Sequence, residues 1–292
     1  MSETKLHAKP QKSSMAKRRV QKFCKNKAAV VSIILMFLLI MACIVGPLLS
    51  PHDPNAITVL DQYAKPSAEH LLGCDSLGRD LLTRVLYGGR WSLLIGIMTS
   101  LCVNILGASL GVISGYFGRK VDSVIVTISE FMQLLPTTLI IIMLSTKMDI
   151  TIWVLVIMWT ITGWSGSMRN TRSRVLSVKQ EPFVESCVAN GIPKTSIMFH
   201  HIIPNANGPL IINTTMNVAG YILSESSLSY LGFGLDSTIP TWGNLLNGAR
   251  RLDLIIDYPW LWIAPGFCIL LVTLCVNFIG DGLRDAMDAT TR

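Results

Sequence analysis

The stretch AAVVSIILMFLLIMACIVGPLL at residues 28–49 contains no charged side chain and decides the class of fold. A helix needs roughly 20 apolar residues to cross the hydrocarbon core of a bilayer, which is about 30 Å thick. A signal peptide would instead have an apolar region of about 7–15 residues before a small-residue cleavage site. The stretch is longer than that, and prolines follow at Pro47 and Pro51. We therefore predict that it is a retained membrane-spanning helix.

Apolar residues recur in five further blocks of span length. Half of all residues are hydrophobic and 15% are charged, whereas average soluble domains carry about 25% charged residues. The pattern predicts an all-α integral membrane protein with about six transmembrane helices. The third and fifth spans contain Glu130 and Glu225, which we expect to face other helices or a wet cavity because a carboxylate is costly in lipid. The five blocks are residues 93–114, 124–144, 150–167, 210–231 and 260–279.

The positive charges predict the orientation of these spans. The net charge is +7, and 18 of the 25 Lys and Arg residues fall in the segments that lie on the same side of the predicted spans as the N-terminus. Because Lys and Arg are enriched in cytoplasmic loops, we predict a multi-pass protein of the cell membrane with both termini in the cytoplasm. The basic residues of the tail are expected to contact anionic lipid headgroups rather than nucleic acid. The predicted cytoplasmic segments are residues 1–27, 115–123, 168–209 and 281–292, and the five-helix core is residues 93–280.

Two predicted external loops are longer than a connection requires. The first, residues 50–92, opens with two prolines that prevent the first span from continuing, and it is predicted to end in a short helix at residues 80–87. The second is residues 232–259. Both carry polar and aromatic side chains that are candidates for contact with a protein outside the membrane, although a solvated loop would have a similar composition. The candidate contact residues are Asp75, Arg79, Asp80 and Trp242.

The predicted cytoplasmic loop at residues 168–209 contains two short helices. Pro182 suits the first turn of a helix, where its missing N–H removes no hydrogen bond, and Gly191 suits the left-handed residue that ends one. A second helix is predicted from Pro193 to just before Pro204. Each helix is too short to span a membrane, and an apolar stripe on the first needs a cover. The pair is therefore either a lid on the protein's own helices or a docking surface for a cytoplasmic partner.

The same loop resembles the EAA loop of ABC-importer permeases, in which a Glu-Ala-Ala tripeptide precedes a glycine and, later, a proline. The departure here is Ser-Cys in place of the two alanines, and both replacements are small enough for close helix packing. The resemblance implies that this loop docks on a cytoplasmic ATPase. The docking residues that it implies are Glu185, Ser186, Cys187, Ala189, Gly191, Pro204 and Asn205.

Segments along residues 25–288 resemble the second permease subunit of dipeptide, oligopeptide and nickel importers. The resemblance implies the fold of a type I ABC-importer permease. It also implies as partners a homologous second permease, two cytoplasmic ATPases and an external solute-binding protein. Peptides are the implied cargo, with nickel chelates or glutathione-like compounds as alternatives. The segments that carry the resemblance are residues 25–28, 47–54, 70–82 (HLLGCDSLGRDLL), 223–232, 242–244 and 280–285 (GDGLRD).

The chain contains no phosphate-binding loop of the form GxxxxGK[ST]. We therefore expect no catalytic residue, metal or cofactor on this chain, and ATP–Mg on the partner ATPases. The alternative is a self-powered secondary transporter, with Glu130 and Glu225 as charged relays and Pro136 as a helix break. A small number of spans, the absence of a detectable repeat and the organised cytoplasmic loop disfavour that alternative. Each glutamate is either part of a transport pathway or a packing residue between helices.

Overall fold

The structure, a computed structural model, describes residues 15–287, without the side chains of residues 15–19, 205–207 and 209. The first 14 residues of the predicted basic tail and residues 288–292 of the predicted C-terminal segment lie outside it. Over the described range the chain forms helices and no β-strand. The helices are α1 (Met15–Lys25), α2 (Lys27–Leu49), α3 (Leu81–Phe117), α4 (Arg119–Leu134), α5 (Thr137–Ser145), α6 (Ile152–Lys179), α7 (Pro182–Ala189), α8 (Lys194–Ile197), α9 (Ile203–Tyr230), α10 (Trp242–Gly248), α11 (Leu252–Asp257) and α12 (Trp260–Met287).

The apolar blocks of the sequence correspond to α2, α3, the pair α4–α5, α6, α9 and α12. Three of these helices, α2, α3 and α12, are long and apolar enough to cross a membrane, and the bent pair α4–α5 counts as a fourth span if it is taken as one. Helices α6 and α9 are more polar, but each has 28 residues and is therefore about 42 Å long. Both lie within the bundle, where α3 packs against each of them.

Helix α3 is longer than the sequence predicts. The short helix expected at residues 80–87 and the span expected at residues 93–114 are one continuous helix of 37 residues. Gly88, Gly89 and Arg90 interrupt the apolar pattern between the two predicted segments. Their roles are in packing: a Cβ on Gly88 would lie 2.5 Å from the carbonyl oxygen of Pro240, and one on Gly89 would lie 2.3 Å from Cys43 Sγ.

Arg90 compensates for a proline inside α2. Pro47 has no N–H to donate to the carbonyl of Cys43, one helical turn earlier. The guanidinium of Arg90 donates to that carbonyl from Nε at 2.8 Å, and to the carbonyl of Ile44 from Nη2 at 2.5 Å. Arg90 therefore connects α3 to α2.

The predicted span at residues 124–144 is broken rather than continuous. Helices α4 and α5 meet at an angle of 62°. Pro136 follows Leu135, which adopts an extended conformation with φ −79° and ψ 117°, because the proline ring disfavours a helical conformation in the preceding residue. The segment is either one bent span or a re-entrant pair.

Helical structure extends further into the loop at residues 168–209 than the sequence predicts. Helix α6 continues through the first part of that loop to Lys179. The second short helix does not end before Pro204, because α8 continues through a π-helical turn, Met198–Ile202, into α9. Pro204 lies in the first turn of α9, and the wider π turn before it avoids the regular helical hydrogen bond that a proline cannot donate. Helix α12 likewise continues to Met287, past the predicted boundary at residue 281.

The most extensive helix contact among the described residues is between α3 and α6. Gly107, Gly111 and Gly115 lie four residues apart and so share one side of α3. A Cβ on Gly107 would lie 2.6 Å from the carbonyl oxygen of Trp164, and one on Gly111 would lie 2.5 Å from that of Met168. Small residues at this spacing allow two membrane helices to approach through their backbones. We call these three residues the glycine seam; the sequence interpretation did not single it out.

We predict that Gly111→Ala destabilises the protein while Gly166→Ala does not. The added methyl group at position 111 would overlap the backbone of α6, and overpacking of this kind costs about 1–3 kcal/mol. Gly166 is the matched control because a Cβ there meets nothing within 4 Å. Thermal unfolding of the two variants in detergent is the measurement. Equal midpoints for both variants and the parent would show that the seam does not limit the approach of the two helices.

Candidate functional site

Helix α7 begins and ends where the sequence predicts. Pro182 occupies the first turn, and Gly191 adopts φ +72° after the helix ends at Ala189. The turn is closed by a hydrogen bond from the N–H of Ile192 to the carbonyl of Cys187 at 3.1 Å. The prediction that Gly191 is the left-handed stop of this helix is therefore confirmed. We call residues 180–202 the α7 loop.

One side of α7 packs on the bundle. Val184 is buried, and Cys187 is half-buried against the same apolar cluster. The cluster joins the α7 loop to the ends of α3 and α6, so the interpretation of this loop as a lid on the protein's own helices holds for that side. The other buried members of the cluster are Val112, Tyr116, Val175, Val178, Ile197, Met198 and Ile202.

The rest of α7 is exposed and partly apolar. Phe183 and Val188 are 40% and 62% exposed, and Glu185, Ser186 and Ala189 are also exposed. Next to α7, a groove of about 790 Å³ opens between the α7 loop and the end of α3. The groove is lined by Tyr116, Phe117, Lys179, Val184, Glu185, Val188, Ala189, Gly191, Ile192, Pro193, Lys194 and Ile197.

The last two predicted docking residues lie outside the α7 loop itself. Pro204 is exposed in the first turn of α9, and Asn205 follows it in the same helix, although its side chain is not among those described. The structure therefore brings residues 185–191 together on one short helix and places residues 204–205 at the start of the next long one.

At the opposite end of α3, two loops form a cap, which we define as residues 50–80 and 232–259. Arg84 joins them and is only 1% exposed. Its Nη1 donates to the carbonyl of Pro54 at 2.7 Å and to Asn55 Oδ1 at 3.1 Å, and its Nη2 donates to the carbonyl of Ser237 at 3.3 Å. Burial of a guanidinium is costly unless its donors have partners. The three bonds join both loops of the two-loop cap to α3, while Arg84 Nε lies 3.6 Å from Asp75 Oδ2 and makes no hydrogen bond.

Three of the four predicted contact residues are buried inside this cap. Asp75 accepts hydrogen bonds from the backbone N–H groups of Leu77 and Arg79 and, at 2.7 Å, from Arg79 Nε. Trp242 is fully buried, and its indole N–H donates to the carbonyl of Val85 at 3.0 Å. The prediction that Asp75, Asp80 and Trp242 present an exposed surface is therefore wrong. Arg79 retains some exposure, and its role in contact with a partner stays a prediction.

Asp80 is the N-cap of α3. Its Oδ2 accepts from the backbone N–H of Thr83 at 2.8 Å and from the Thr83 hydroxyl at 2.6 Å. Burial alone would raise the pKa of Asp80, but hydrogen bonds from Thr83 and His70 hold that pKa below its usual range. Burial, aided by the nearby carboxylate of Asp80, raises the pKa of the Cys74 thiol to about 11. The carboxyl group is thus ionised and the thiol is protonated at neutral pH.

Glu225 faces the interior, as predicted. It is fully buried in α9, and its Oε1 accepts from the hydroxyls of Ser229 and Thr241, both at 2.8 Å. Thr241 is also the N-cap of α10, where its Oγ1 accepts from the N–H of Asn244. Glu225 therefore connects the end of α9 to the start of α10, which supports its interpretation as a packing residue.

Glu130 does not face the interior of this chain. It is exposed on α4 and makes no hydrogen bond or ion pair within residues 15–287. One turn further along α4, the amide of Gln133 bonds to the guanidinium of Arg169 on α6. The sequence predicted that Glu130 faces other helices or a wet cavity. Helix α4 packs on only a few neighbours, chiefly α3 and α6, and Glu130 lies on a part of α4 that none of them covers.

Residues 107–292 match the family described as "Binding-protein-dependent transport system inner membrane component". The chain belongs to this family of permeases. Residues 14–66 match a second description, "N-terminal TM domain of oligopeptide transport permease C". The first match covers more than half of the permease. It includes the α7 loop, the glycine seam of α3 and the helix α6 that packs on this seam.

The permease is similar to known permeases over almost its whole length. It is 39% identical over 280 residues to the oligopeptide transport system permease protein OppC of Haemophilus influenzae, covering 95% of this chain and 88% of that one. It is 37% identical over 264 residues to the dipeptide transport system permease protein DppC of Alkalihalophilus pseudofirmus, covering 90% and 86%. The DppC protein of Bacillus subtilis is 36% identical over 269 residues, with 92% and 83% covered.

The fold of the permease is that of a type I ABC importer. It is similar to a chain in the inward-facing MetNI methionine ABC transporter, with a TM-score of 0.57 and 14% sequence identity. The match covers 70% of the permease and 96% of that chain. At this identity the likeness concerns the fold alone, and it agrees with the helical bundle described above.

We predict that Trp242→Ala destabilises the permease through the loss of its packing in the two-loop cap. Truncation of a buried tryptophan costs about 3–5 kcal/mol. Trp153→Ala is the matched control, because Trp153 is 59% exposed at the start of α6. Thermal unfolding in detergent compares the two variants. A parent-like midpoint for Trp242→Ala would mean that this side chain is not held in the cap as the structure places it.

Proposed function

We propose that this permease forms half of the translocation pathway of an ATP-driven peptide importer and is coupled to a cytoplasmic ATPase through the α7 loop. The observation that carries the proposal is that α7 is only partly covered by the bundle. Val184 is packed on the bundle, whereas Phe183 and Val188 are exposed. An eight-residue helix is about 12 Å long and does not cross a bilayer. The exposed side is therefore available to a partner.

The apolar side of a short helix is commonly recognised by a groove on another protein. Glu185 lies beside Val188 on the exposed side, so α7 offers one charge next to an apolar contact. The inner side of α7 is packed on the ends of α3 and α6, so a force applied to α7 reaches those two helices directly. This arrangement supports docking of an ATPase at residues 185–191, with Pro204 and Asn205 at the adjoining end of α9.

The charge distribution supports a cytoplasmic position for this loop. The α7 loop is on the same side of the predicted topology as both termini, where 18 of the 25 Lys and Arg residues lie. The positive-inside rule places such segments in the cytoplasm. ATP–Mg would then be held by ATPase subunits that dock on this face, because the permease itself carries no GxxxxGK[ST] segment.

Glu130 supports a second permease as partner. A carboxylate on the outward side of a membrane helix is costly against lipid, and this one has no partner in the described part of the chain. Helices α4 and α5 also expose large apolar residues, which suit a contact between helices. We propose that the exposed surface of α4 and α5 faces the homologous permease and the pathway between the two subunits. The exposed apolar residues are Val121, Val124, Ile128, Phe131, Leu134, Leu139 and Met143.

Peptides are the proposed cargo because the relatives with 36–39% identity are named as dipeptide and oligopeptide permeases. Nickel chelates or glutathione-like compounds are the alternatives within the same class. An external solute-binding protein would deliver the cargo at the two-loop cap. The alternative from another class is a self-powered secondary transporter that uses Glu130 and Glu225. The engagement of Glu225 in hydrogen bonds to Ser229 and Thr241 disfavours it as a mobile proton relay.

We expect transport to require the partner subunits. The permease would be reconstituted in liposomes with a second permease, two ATPases and a binding protein, and uptake of labelled dipeptides and oligopeptides would be measured. Omission of the ATPases should abolish ATP-dependent uptake, because this chain has no means of its own to hydrolyse ATP. Uptake by the permease alone, driven by an imposed proton gradient, would instead support the secondary transporter.

We expect Gly191→Val to weaken association with the ATPase and Gly191→Asn to preserve most of it. The position has φ +72° and nothing within 4 Å of an added Cβ, so backbone strain is the main effect. A β-branched residue in that conformation costs about 1–2 kcal/mol, whereas asparagine tolerates it. The two measurements are membrane abundance and co-purification of the ATPase. A Gly191→Val protein that binds its ATPase as the parent does would exclude the α7 loop as the docking element.

A further inference from the structure

Two histidines and one aspartate that are far apart in the sequence meet in the two-loop cap. His52 follows α2, His70 lies within the first loop and Asp80 caps α3. Their ligand atoms all lie within 4.8 Å of one another, and His70 Nδ1 is 3.0 Å from Asp80 Oδ1. The two imidazole ring centroids are 4.8 Å apart. Over residues 15–287 this is the single group of three His, Cys, Asp or Glu residues at such spacing.

Local hydrogen bonds fix the backbone at both histidines and the carboxylate of Asp80. The backbone N–H of His52 donates to Ser50 Oγ at 3.2 Å, and the backbone N–H of His70 donates to Ser67 Oγ at 3.0 Å. Asp80 uses Oδ2 for the cap of α3 and directs Oδ1 toward His70. Outer hydrogen bonds such as those to Oδ2 orient ligating carboxylates in known metal sites. The three residues are therefore brought together before any ion binds.

The group also borders a cavity. A space of about 380 Å³ is lined by His52 and Asp80, and His52 and His70 are both half-buried. A metal ion could reach His52 and Asp80 from this space, and water could occupy the position that three protein ligands leave open.

We propose that His52, His70 and Asp80 form a binding site for a divalent transition metal ion, with Zn²⁺ as the best-matched ion. Imidazole nitrogen and carboxylate oxygen are ligands that Zn²⁺ accepts in three-ligand sites. Hard cations such as Mg²⁺ prefer sites built from oxygen alone. The sequence interpretation expected no metal on this chain; these three residues lie 18 and 10 positions apart and form no local ligand motif.

The observed separations are close to those of a bound site. Zn–N and Zn–O bonds of about 2.0–2.2 Å in a tetrahedral arrangement place two ligand atoms roughly 3.4 Å apart. His70 and Asp80 are already at 3.0 Å. The remaining adjustment is a rotation of the His52 ring, whose Nε2 lies 3.2 Å from the carbonyl of Glu69. That exposed hydrogen bond would be exchanged for the bond to the metal.

A bound ion would connect the segment after α2, the middle of the first loop and the start of α3. An ion that binds the folded state alone stabilises it by mass action, so the expected effect is a more stable cap. This inference does not depend on the cargo or on the ATPase, because the site belongs to a single chain and its occupancy is measured without transport.

The test uses the full-length permease in detergent, purified with a tag that contains no histidine and stripped with a chelator. Zn²⁺ is titrated in competition with a chromophoric chelator, and Co²⁺ is titrated in parallel to observe the visible absorption of a tetrahedral site. The expected result is one Zn²⁺ per chain, no effect of Mg²⁺ and a higher unfolding midpoint with Zn²⁺. His52→Ala and His70→Ala should each lower Zn²⁺ affinity at least about tenfold, because each removes one of three ligands.

His200→Ala is the matched control, because His200 is an exposed histidine whose ring contacts only the carbonyl of Ser196 in its own helical segment. It should bind Zn²⁺ as the parent does. Should His52→Ala unfold without metal, His52→Gln replaces the ring while its amide can still donate to the carbonyl of Glu69. Equal Zn²⁺ affinity in His52→Gln and the parent, an equal loss in His200→Ala, or no binding by the parent would each overturn the proposal.

Discussion

Three glycines on one side of α3 allow its backbone to lie against the backbone of α6. A methyl group on Gly111 would come within 2.5 Å of the Met168 carbonyl oxygen, so the distance between the two helices depends on the absence of a side chain there. In lipid, apolar side chains gain little by turning from the bilayer toward each other, and close packing of small residues contributes most of the association. Helices α2, α4 and α9 also pack against α3.

The length of α3 places its two ends in both functional regions of the permease. At one end Asp80 and Arg84 hold the two-loop cap, and at the other Tyr116 and Phe117 border the groove beside the α7 loop. A helix of 37 residues is about 55 Å long and has no proline to bend it. A tilt of α3 therefore moves both ends together, and α6 moves with it through the glycine seam.

The burial and the partners of three charged residues could not be predicted from the sequence. Arg84, Arg90 and Asp80 lie in or near a predicted loop, and a charge in a loop is usually solvated. In the structure Arg84 and Asp80 are buried, and each of the three hydrogen-bonds to backbone groups that would otherwise lack a partner. The partner of Arg90 is the carbonyl that Pro47 leaves free, more than forty residues earlier in the sequence. One signal was available for Asp80, because aspartate just before an apolar helix is a common N-cap.

The sequence by itself determined the apolar spans and the stop of α7 at Gly191. These features depend on hydropathy over about 20 residues or on the conformation of a single residue, and both are local properties. Only the tertiary structure decided that α3 is continuous, that Trp242 is buried, that Glu130 is exposed and that His52 approaches His70. The physical reason is that burial and contact depend on which surfaces meet, and the meeting of α3 with α6 and of the two loops in the cap joins residues that are distant in the chain.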